Sequence, residues 1–399
     1  ILIGLVGSEM CIRDRLSTAP LSRELVHIPY KKPALIPGKE YRLMLHAVLK
    51  KDELWAKAGH EVAWEELELP WSLPCSSEEK AQGVPSYSLS EKELVVSGDG
   101  FKYVFNRTDG QLTSMVVQDM ELLESPLRLN LWRAPLANEL DNWNASSARS
   151  SNWKEGYEYT VATEMYSAGI DRLTHQPLSF SVSETTEGVH IHIIDAELMG
   201  KGEKEKKDLY IEGVQNNGII NHYEYIINSE GTIEIRHVLK PEGKMPLWFP
   251  RIGLTLTVSD ALDQVKWYGR GPQENYPDRK TGYPTGIYAS TVQAMYEPYL
   301  MPQDYGLRTD VRWLQLTTDK GIGLQFKMNE WFNFNIYPYS TDNLTKAMYT
   351  YQLQKQKGMT LNLDYATTGV GCTARGVFGA YKAMPQEYRR TISIRPMMK

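Results

Sequence analysis

The chain has 399 residues, 42% of them hydrophobic and 23% charged, with a net charge of −5. That is a globular balance, and it argues against electrostatic capture of nucleic acid, because even the lysine-rich "GKGEKEKKD" (200–208) interleaves acids. No apolar run nears the roughly 18 residues of a membrane span, and the scattered Cys11, Cys75 and Cys372 form neither a disulfide framework nor a zinc motif.

The opening "ILIGLVGSEMCIRDR" lacks the basic start of a signal peptide, and its apolar run stops at Val6. Its "GLVGSEMCIRDR" resembles a spurious translation that recurs at the ends of assembled sequencing contigs. Residues 1–15 are therefore read as a non-native leader on a chain that begins in mid-protein, with any targeting signal out of view. Residues 16–74 alternate like strands. "EYRLMLHAVLKK" (40–51) runs through Tyr41, Leu43, Leu45 and Ala47, and "HEVAWEELELP" (60–70) through Val62, Trp64, Leu67 and Leu69. The second run slips register at Glu65 and Glu66, which predicts a bulge there. About three strands are too few for an immunoglobulin-type sandwich of about seven, so the segment reads as part of one.

Residues 75–89, within "PCSSEEKAQGVPSYS", are polar and Pro-containing and read as a linker. From 90 to 397 short β segments follow one another. Glu93 to Val117 is strand, turn, strand, turn, strand, with Asp109-Gly110 as a hairpin signal. Asn221 to Pro241 is a hairpin about 228–231, and 321–340 and 388–397 are further strands. One helix is expected, over 160–169, stopped by Gly169. The fold class is thus all-β: one large antiparallel sandwich preceded by a partial immunoglobulin-like sandwich.

Aromatic usage is skewed, with 24 Tyr and 10 Trp against 8 Phe. Tyr and Trp join an apolar face to a polar tip, which suits sugars but equally suits any large sandwich. The densest loop is "WYGRGPQENYPDR" (267–279), with Trp267, Gly269, Gly271, Pro272, Glu274, Asn275, Tyr276, Asp278 and Arg279. Two readings are open for its acids. Glu274 and Asp278 have the makings of a glycosidase carboxyl pair. In a Gly/Pro loop, carboxylates more commonly accept backbone N–H groups or pair with arginines such as Arg270 and Arg279, and that reading is favoured.

"VHIHII" sets His190 and His192 on one strand face. No third metal ligand is evident, and a solvent-side face is the plainer reading. "GVGCTARG" (369–376) begins GxG but opens no helix, so a phosphate loop fails its context test, and Cys372 has no visible base. "LWRAPLANELDNWN" (131–144) carries Asn138, Glu139, Asp141, Asn142 and Trp143 after an Arg-Ala-Pro corner, chemistry that suits a sugar loop or a capped surface loop.

"WYGRGPQENYPDR" and "YEPYLMPQDYGLRTDVRW" (296–313), with "FPRIGLTL" (249–256), "LWRAP" (131–135) and "AGHEVAWEE" (58–66) in order, resemble the C-terminal part of the large bacterial β-galactosidases of glycoside hydrolase family two. The resemblance covers about residues 20–397. It implies the end of a second immunoglobulin-like domain, then a galactose-mutarotase-like β-supersandwich. It also implies that both catalytic glutamates, and the ligands for magnesium or calcium and for sodium, lie on a TIM barrel outside this chain. No catalytic residue, metal ligand or cofactor is then assigned here. The chain supplies a wall of the galactoside pocket, packs against the barrel and is inactive alone, with homo-oligomerisation open and cytoplasm and periplasm both open. Asn138 and Glu139 are the implied substrate-side residues. The family's stacking tryptophan is replaced near Gly376, leaving Arg375, Phe378 or Tyr381 as substitutes. The alternatives are a galactoside-binding module that works without the barrel, a purely structural or oligomer-forming part, and an aldose epimerase using His222 and Glu274.

Overall fold

The computed structural model describes residues 18–19, 21–28, 31–74, 83–140, 161–200, 217–372 and 376–398, together with the backbone of two strands before them. The chain divides into two compact units, 1–80 and 81–399.

The first unit is one antiparallel sheet of β1 (Leu2–Leu5), β2 (Ser8–Arg13), β3 (Tyr41–Val48) and β4 (Glu61–Leu69), ordered β2-β1-β3-β4. The stretch read as a leader thus supplies two strands, with Leu2 opposite His46 and Leu5 opposite Leu43. The bulge expected at Glu65 and Glu66 lies elsewhere: the register slips between Ala47 and Val48, opposite Ala63 and Glu61. Glu66 keeps its place in the ladder opposite Met44 because Arg42, itself buried, reaches its carboxylate at 3.3 Å. Once that inward acid is neutralised, no bulge is needed to turn it out, and Leu67 faces solvent instead.

The second unit opens with β5 (Ser86–Leu89), β6 (Glu93–Gly98), β7 (Phe101–Asn106), β8 (Leu112–Val117) and β9 (Met120–Glu121), a sheet in chain order. Residues 86–89, expected to be linker, pair with β6, Tyr87 opposite Val96. The ladder hydrogen bonds outweigh the polar, turn-like composition there.

Twelve strands make the large sheet. The first six are β10 (Leu123–Asn130), β11 (Thr174–Thr185), β12 (Gly188–Leu198), β13 (Gly218–Ile227), β14 (Ile233–Glu242) and β15 (Arg251–Val258). The rest are β16 (Gln264–Arg270), β17 (Thr285–Thr291), β18 (Arg308–Thr317), β19 (Gly323–Tyr337), β20 (Met359–Thr367) and β21 (Tyr388–Met397). They run β10-β15-β20-β19-β21-β14-β13-β12-β11, with β18, β16 and β17 branching from β19. Every pairing is antiparallel, so the all-β expectation and the hairpin about 228–231 hold.

Strand β19 is the hub. Its first half pairs with β21 and its second half with β20, while β18 runs along both. Where it changes partner, Asn329, Glu330 and Trp331 are all exposed, a break in alternation that marks the bend. Strand β14 alternates cleanly. Ile233, Ile235, His237 and Leu239 of β14 point inward, into a core shared with Val96, Phe105, Ile191 and Leu363.

Helix α1 (Val161–Ala168) matches the expected one, with Gly169 just past its end at φ 74°. It lays Tyr166 against Trp132, ring centroids 4.9 Å apart. A second helix, α2 (Thr341–Lys346), is capped by Ser340, whose side chain accepts from the Asn343 N–H at 3.0 Å. Among the described residues no helix is long and apolar enough to cross a membrane.

Phe334, fully buried on β19, packs edge-on to Trp267 at 6.0 Å. Truncating Phe334→Ala should destabilise the second unit by about 3–5 kcal/mol. Urea unfolding followed by tryptophan fluorescence reads this; a loss below about 1 kcal/mol would mean the hub collapses onto the cavity.

Candidate functional site

The loop after β16 is held on two sides. Trp267, buried in the middle of β16, donates its indole N–H to the carbonyl of the strand's last residue, Arg270, at 3.1 Å, and the chain then leaves the sheet. On one side the loop is bound to the segment that enters β18. The Asn275 N–H donates to the Leu307 carbonyl at 2.8 Å, and Asn275 Oδ1 accepts from both the N–H and the hydroxyl of Thr309. Arg308 donates to the Pro272 and Gly306 carbonyls at 2.9 and 2.8 Å and lies over the Trp267 ring. Burial lowers the Arg308 pKa to about 10. Glu274 accepts from the Gly306 N–H at 2.8 Å, from Arg279 at 2.7 Å and from the Tyr299 hydroxyl.

On the other side, Asp278 accepts from the Val370 and Gly371 N–H groups at 2.9 and 2.7 Å. It can come this close because residue 369 is glycine: a Cβ there would stand 2.3 Å from the Asp278 carboxyl carbon. The same backbone is gripped from behind. Arg133, fully buried, donates to the Thr368 carbonyl at 2.7 Å, the Gly369 carbonyl at 3.0 Å and Glu139 at 2.8 Å. The second oxygen of Glu139 accepts from the Leu136 N–H at 2.9 Å, and Asn138 donates its amide to the Val370 carbonyl.

Asn138, Glu139, Asp278 and residues 368–371 therefore meet at one place. Phe378 has its ring 75% exposed, and Cys372 is exposed. Arg375, with Asp141, Asn142 and Trp143, falls outside the described residues, as does most of the 200–208 charge run.

In Glu274, Asp278 and Glu139 both carboxylate oxygens are occupied by donors of the protein itself. That is shape-holding chemistry, since a general acid or nucleophile must present an oxygen to a ligand. His222 lines a groove on the large sheet with His192, Glu224 and Arg236, and Glu274 is not among its walls.

Sequence reading assigned no role to the ions beneath this assembly. Arg251, fully buried, faces Asp304 at 3.5 Å and Asp364 at 3.3 Å, and Asn335 links the group by donating to Asp304 at 3.0 Å. Burial pushes the Asp364 carboxyl up to about 6, opposed by the Arg251 charge. Arg133 and Arg251 sit inside motifs already singled out, "LWRAP" and "FPRIGLTL", so an arginine within two residues of a proline near a strand end was the available signal.

Beside the loop lies an open groove of about 600 Å³, walled by Pro277, Lys280 and Asp310 from the loop side, Asn329 and Trp331 from the β19 bend, and Tyr381. Aromatic faces beside amide, ammonium and carboxylate groups match the mixed surface of a sugar. A larger cleft of about 920 Å³ lies elsewhere, between β10, α1 and α2, away from the residues that meet around 368–371. It contains His175, whose Nδ1 faces Glu197 at 2.8 Å and whose Nε2 faces the Asp109 carbonyl at 2.7 Å. Both nitrogens meet acceptors, so both carry protons. The Glu197 hydrogen bond is the main cause that raises the His175 pKa to about 9, against the opposing effect of burial.

Two outcomes follow for stability. Asp278→Ala strands the Val370 and Gly371 N–H groups and should cost about 1–3 kcal/mol. Hydrogen exchange at those two amides should accelerate; unchanged exchange would mean that Asp278 does not hold the loop. For His175, a folded pKa above the unfolded value means that its contribution is complete below about 6.5. It is lost as pH rises through about 9. The melting temperature should therefore fall across that window, and His175→Asn should flatten the fall. An equal slope in the variant would assign it to other groups.

Comparison with known proteins matches residues 97–394 to the family described as "Beta galactosidase small chain" and residues 7–70 to "Beta-galactosidase, domain 4". A β-galactosidase of Priestia megaterium is 32% identical over 332 residues, covering 83% of this chain and 29% of the relative. One from Vibrio cholerae is 27% identical over 360 residues, covering 90% of this chain and 32% of the relative. The chain thus spans about a third of the length of these curated relatives. Among solved structures, one described as a putative aldose 1-epimerase from Escherichia coli K12 aligns with a TM-score of 0.37 at 8% identity, over 76% of this chain and 98% of that one.

Proposed function

This chain belongs to the β-galactosidase small-chain family, and from that premise we propose that it works as the C-terminal part of a β-galactosidase. The whole enzyme would hydrolyse terminal non-reducing β-D-galactosyl groups with retention, through a glycosyl-enzyme intermediate. Bond breaking falls to a barrel domain outside this chain, and magnesium or calcium, with sodium, would be held there. The observation that carries this reading is that Glu274, Asp278 and Glu139 each spend both oxygens inside the protein. The acids of the signature therefore build a wall and leave the chemistry to a neighbour.

In that wall, Glu139 is a positioning residue. It is buried against Arg133, while the adjacent Asn138 is part-exposed and turned toward the 370 carbonyl. Substrate contact falls to Asn138 and, on the aglycone side, to the exposed ring of Phe378 or to Arg375. A platform moved from the family's tryptophan position would change aglycone preference, since both area and orientation of the stacking surface change.

A second reading, a galactoside-binding module that needs no barrel, draws on the groove between Trp331, Tyr381 and Lys280. The two readings separate experimentally. The purified chain should give no turnover of a chromogenic β-galactoside, and turnover above blank would sink the division of labour. In an enzyme that carries the barrel, Asn138→Ala should lower kcat/KM by about tenfold, the loss of one contact worth about 1.4 kcal/mol. Calorimetric heat from galactose or lactose with the chain alone, abolished by Trp331→Ala, would favour the module.

A further inference from the structure

The large sheet carries a polar groove of about 450 Å³ on its β12, β13, β14 and β21 strands, outside the site described above. We propose that His192 and Glu224, which line it, form with the adjacent buried His190 a binding site for a divalent transition-metal ion of the zinc type. This does not rest on the proposed β-galactosidase role.

The three residues share one sheet face by register. His190 and His192 are two apart on β12, and Glu224 of β13 is the direct ladder partner of His192. The imidazole rings are close to parallel, 28° apart, with centroids 6.3 Å apart. Their candidate ligand atoms and a Glu224 oxygen all lie within 4.8 Å of one another. Donors bound at about 2.1 Å in a tetrahedral shell stand about 3.4 Å apart, so closure needs only small side-chain rotations. The part-exposed Glu224 and exposed His192 have room to make them.

Glu224 is already oriented. One oxygen meets His190 Nδ1 at 3.1 Å, and the other meets Arg236 at 3.1 Å. Such an outer partner fixes a ligating carboxylate. The charge of that arginine is offset by Glu234 at 2.9 Å and Glu187 at 3.8 Å.

Two imidazoles and one carboxylate suit zinc, nickel, cobalt or copper better than magnesium or calcium, which prefer oxygen shells. The other trio within reach, His175, Asp195 and Glu197, fails the same test. Both His175 nitrogens donate to oxygens, so that ring has no lone pair to offer. In the proposed site, Nε2 of His190 meets the Thr185 hydroxyl at 2.8 Å, which can accept its proton and so leave the lone pair on the Nδ1 that faces Glu224.

The test is calorimetric titration of zinc chloride into the full chain after chelator treatment, in a buffer that does not bind zinc. One saturable site is expected, weakened at least about tenfold by His192→Ala, an exposed change that spares the core, and by Glu224→Gln. His175→Asn should leave it unchanged, and millimolar magnesium should not compete. Cobalt in place of zinc should give a visible absorption band that His192→Ala removes. No saturable binding, undiminished affinity in His192→Ala, or displacement by magnesium would each overturn the proposal.

Discussion

The buried guanidinium of Arg133 is the constraint on which the loop assembly depends. A charge withdrawn wholly from water costs several kcal/mol unless its donors are satisfied. Arg133 places its two terminal nitrogens on the Thr368 and Gly369 carbonyls and Glu139, with Nε alone left without a hydrogen bond. Those partners lie up to 236 residues away in the chain, so the turn after β10 and the loop after β20 are obliged to meet. Asp278 closes the same backbone from the opposite side, using the space that Gly369 leaves. Three distant segments are thus fixed by one requirement, that ions and amides out of water be paired.

Strand β19 converts this local pairing into architecture. Its inner residues Phe326, Phe332 and Phe334 anchor the core, and its change of partner from β21 to β20 leaves Asn329, Glu330 and Trp331 turned out. The strand therefore cannot be uniformly alternating, and the place where alternation fails becomes a wall of the groove beside the signature loop. A bend that a sheet needs for its own geometry supplies an exposed indole next to polar groups.

Period-two patterning made strands such as β3, β7, β13 and β14 legible, β14 above all, because its one buried face fixes the register. Helix α1 was legible from its stop at Gly169. Helix α2 was not, since six residues hold too little periodicity and only its Ser340 cap announces it. Strand β5 was hidden by linker-like composition, and Glu66 misled because Arg42, its neutralising partner, is on another strand. At the site, local signals pointed to the loop acids as shape-holders. They could not show that Asn275 takes Thr309, 34 residues on, or that Glu224 stands opposite His192. Contacts of that range are set by topology, which motif spacing does not encode.

His175 and His190 show how little residue type alone decides. Each is a histidine on the sheet with a carboxylate within 3.1 Å. For His175 the second nitrogen meets a carbonyl, which can only accept, so the ring is drawn into its charged form and acts as a cation. For His190 the second nitrogen meets a hydroxyl, which can accept as well as donate, so its partners do not fix which nitrogen holds a lone pair. The same logic separates the carboxylates. Glu274, Asp278 and Glu139 each accept from a backbone N–H that cannot turn away, and they serve as structure. Both donors to Glu224 are side chains, and it lines a groove where a further positive partner can displace them.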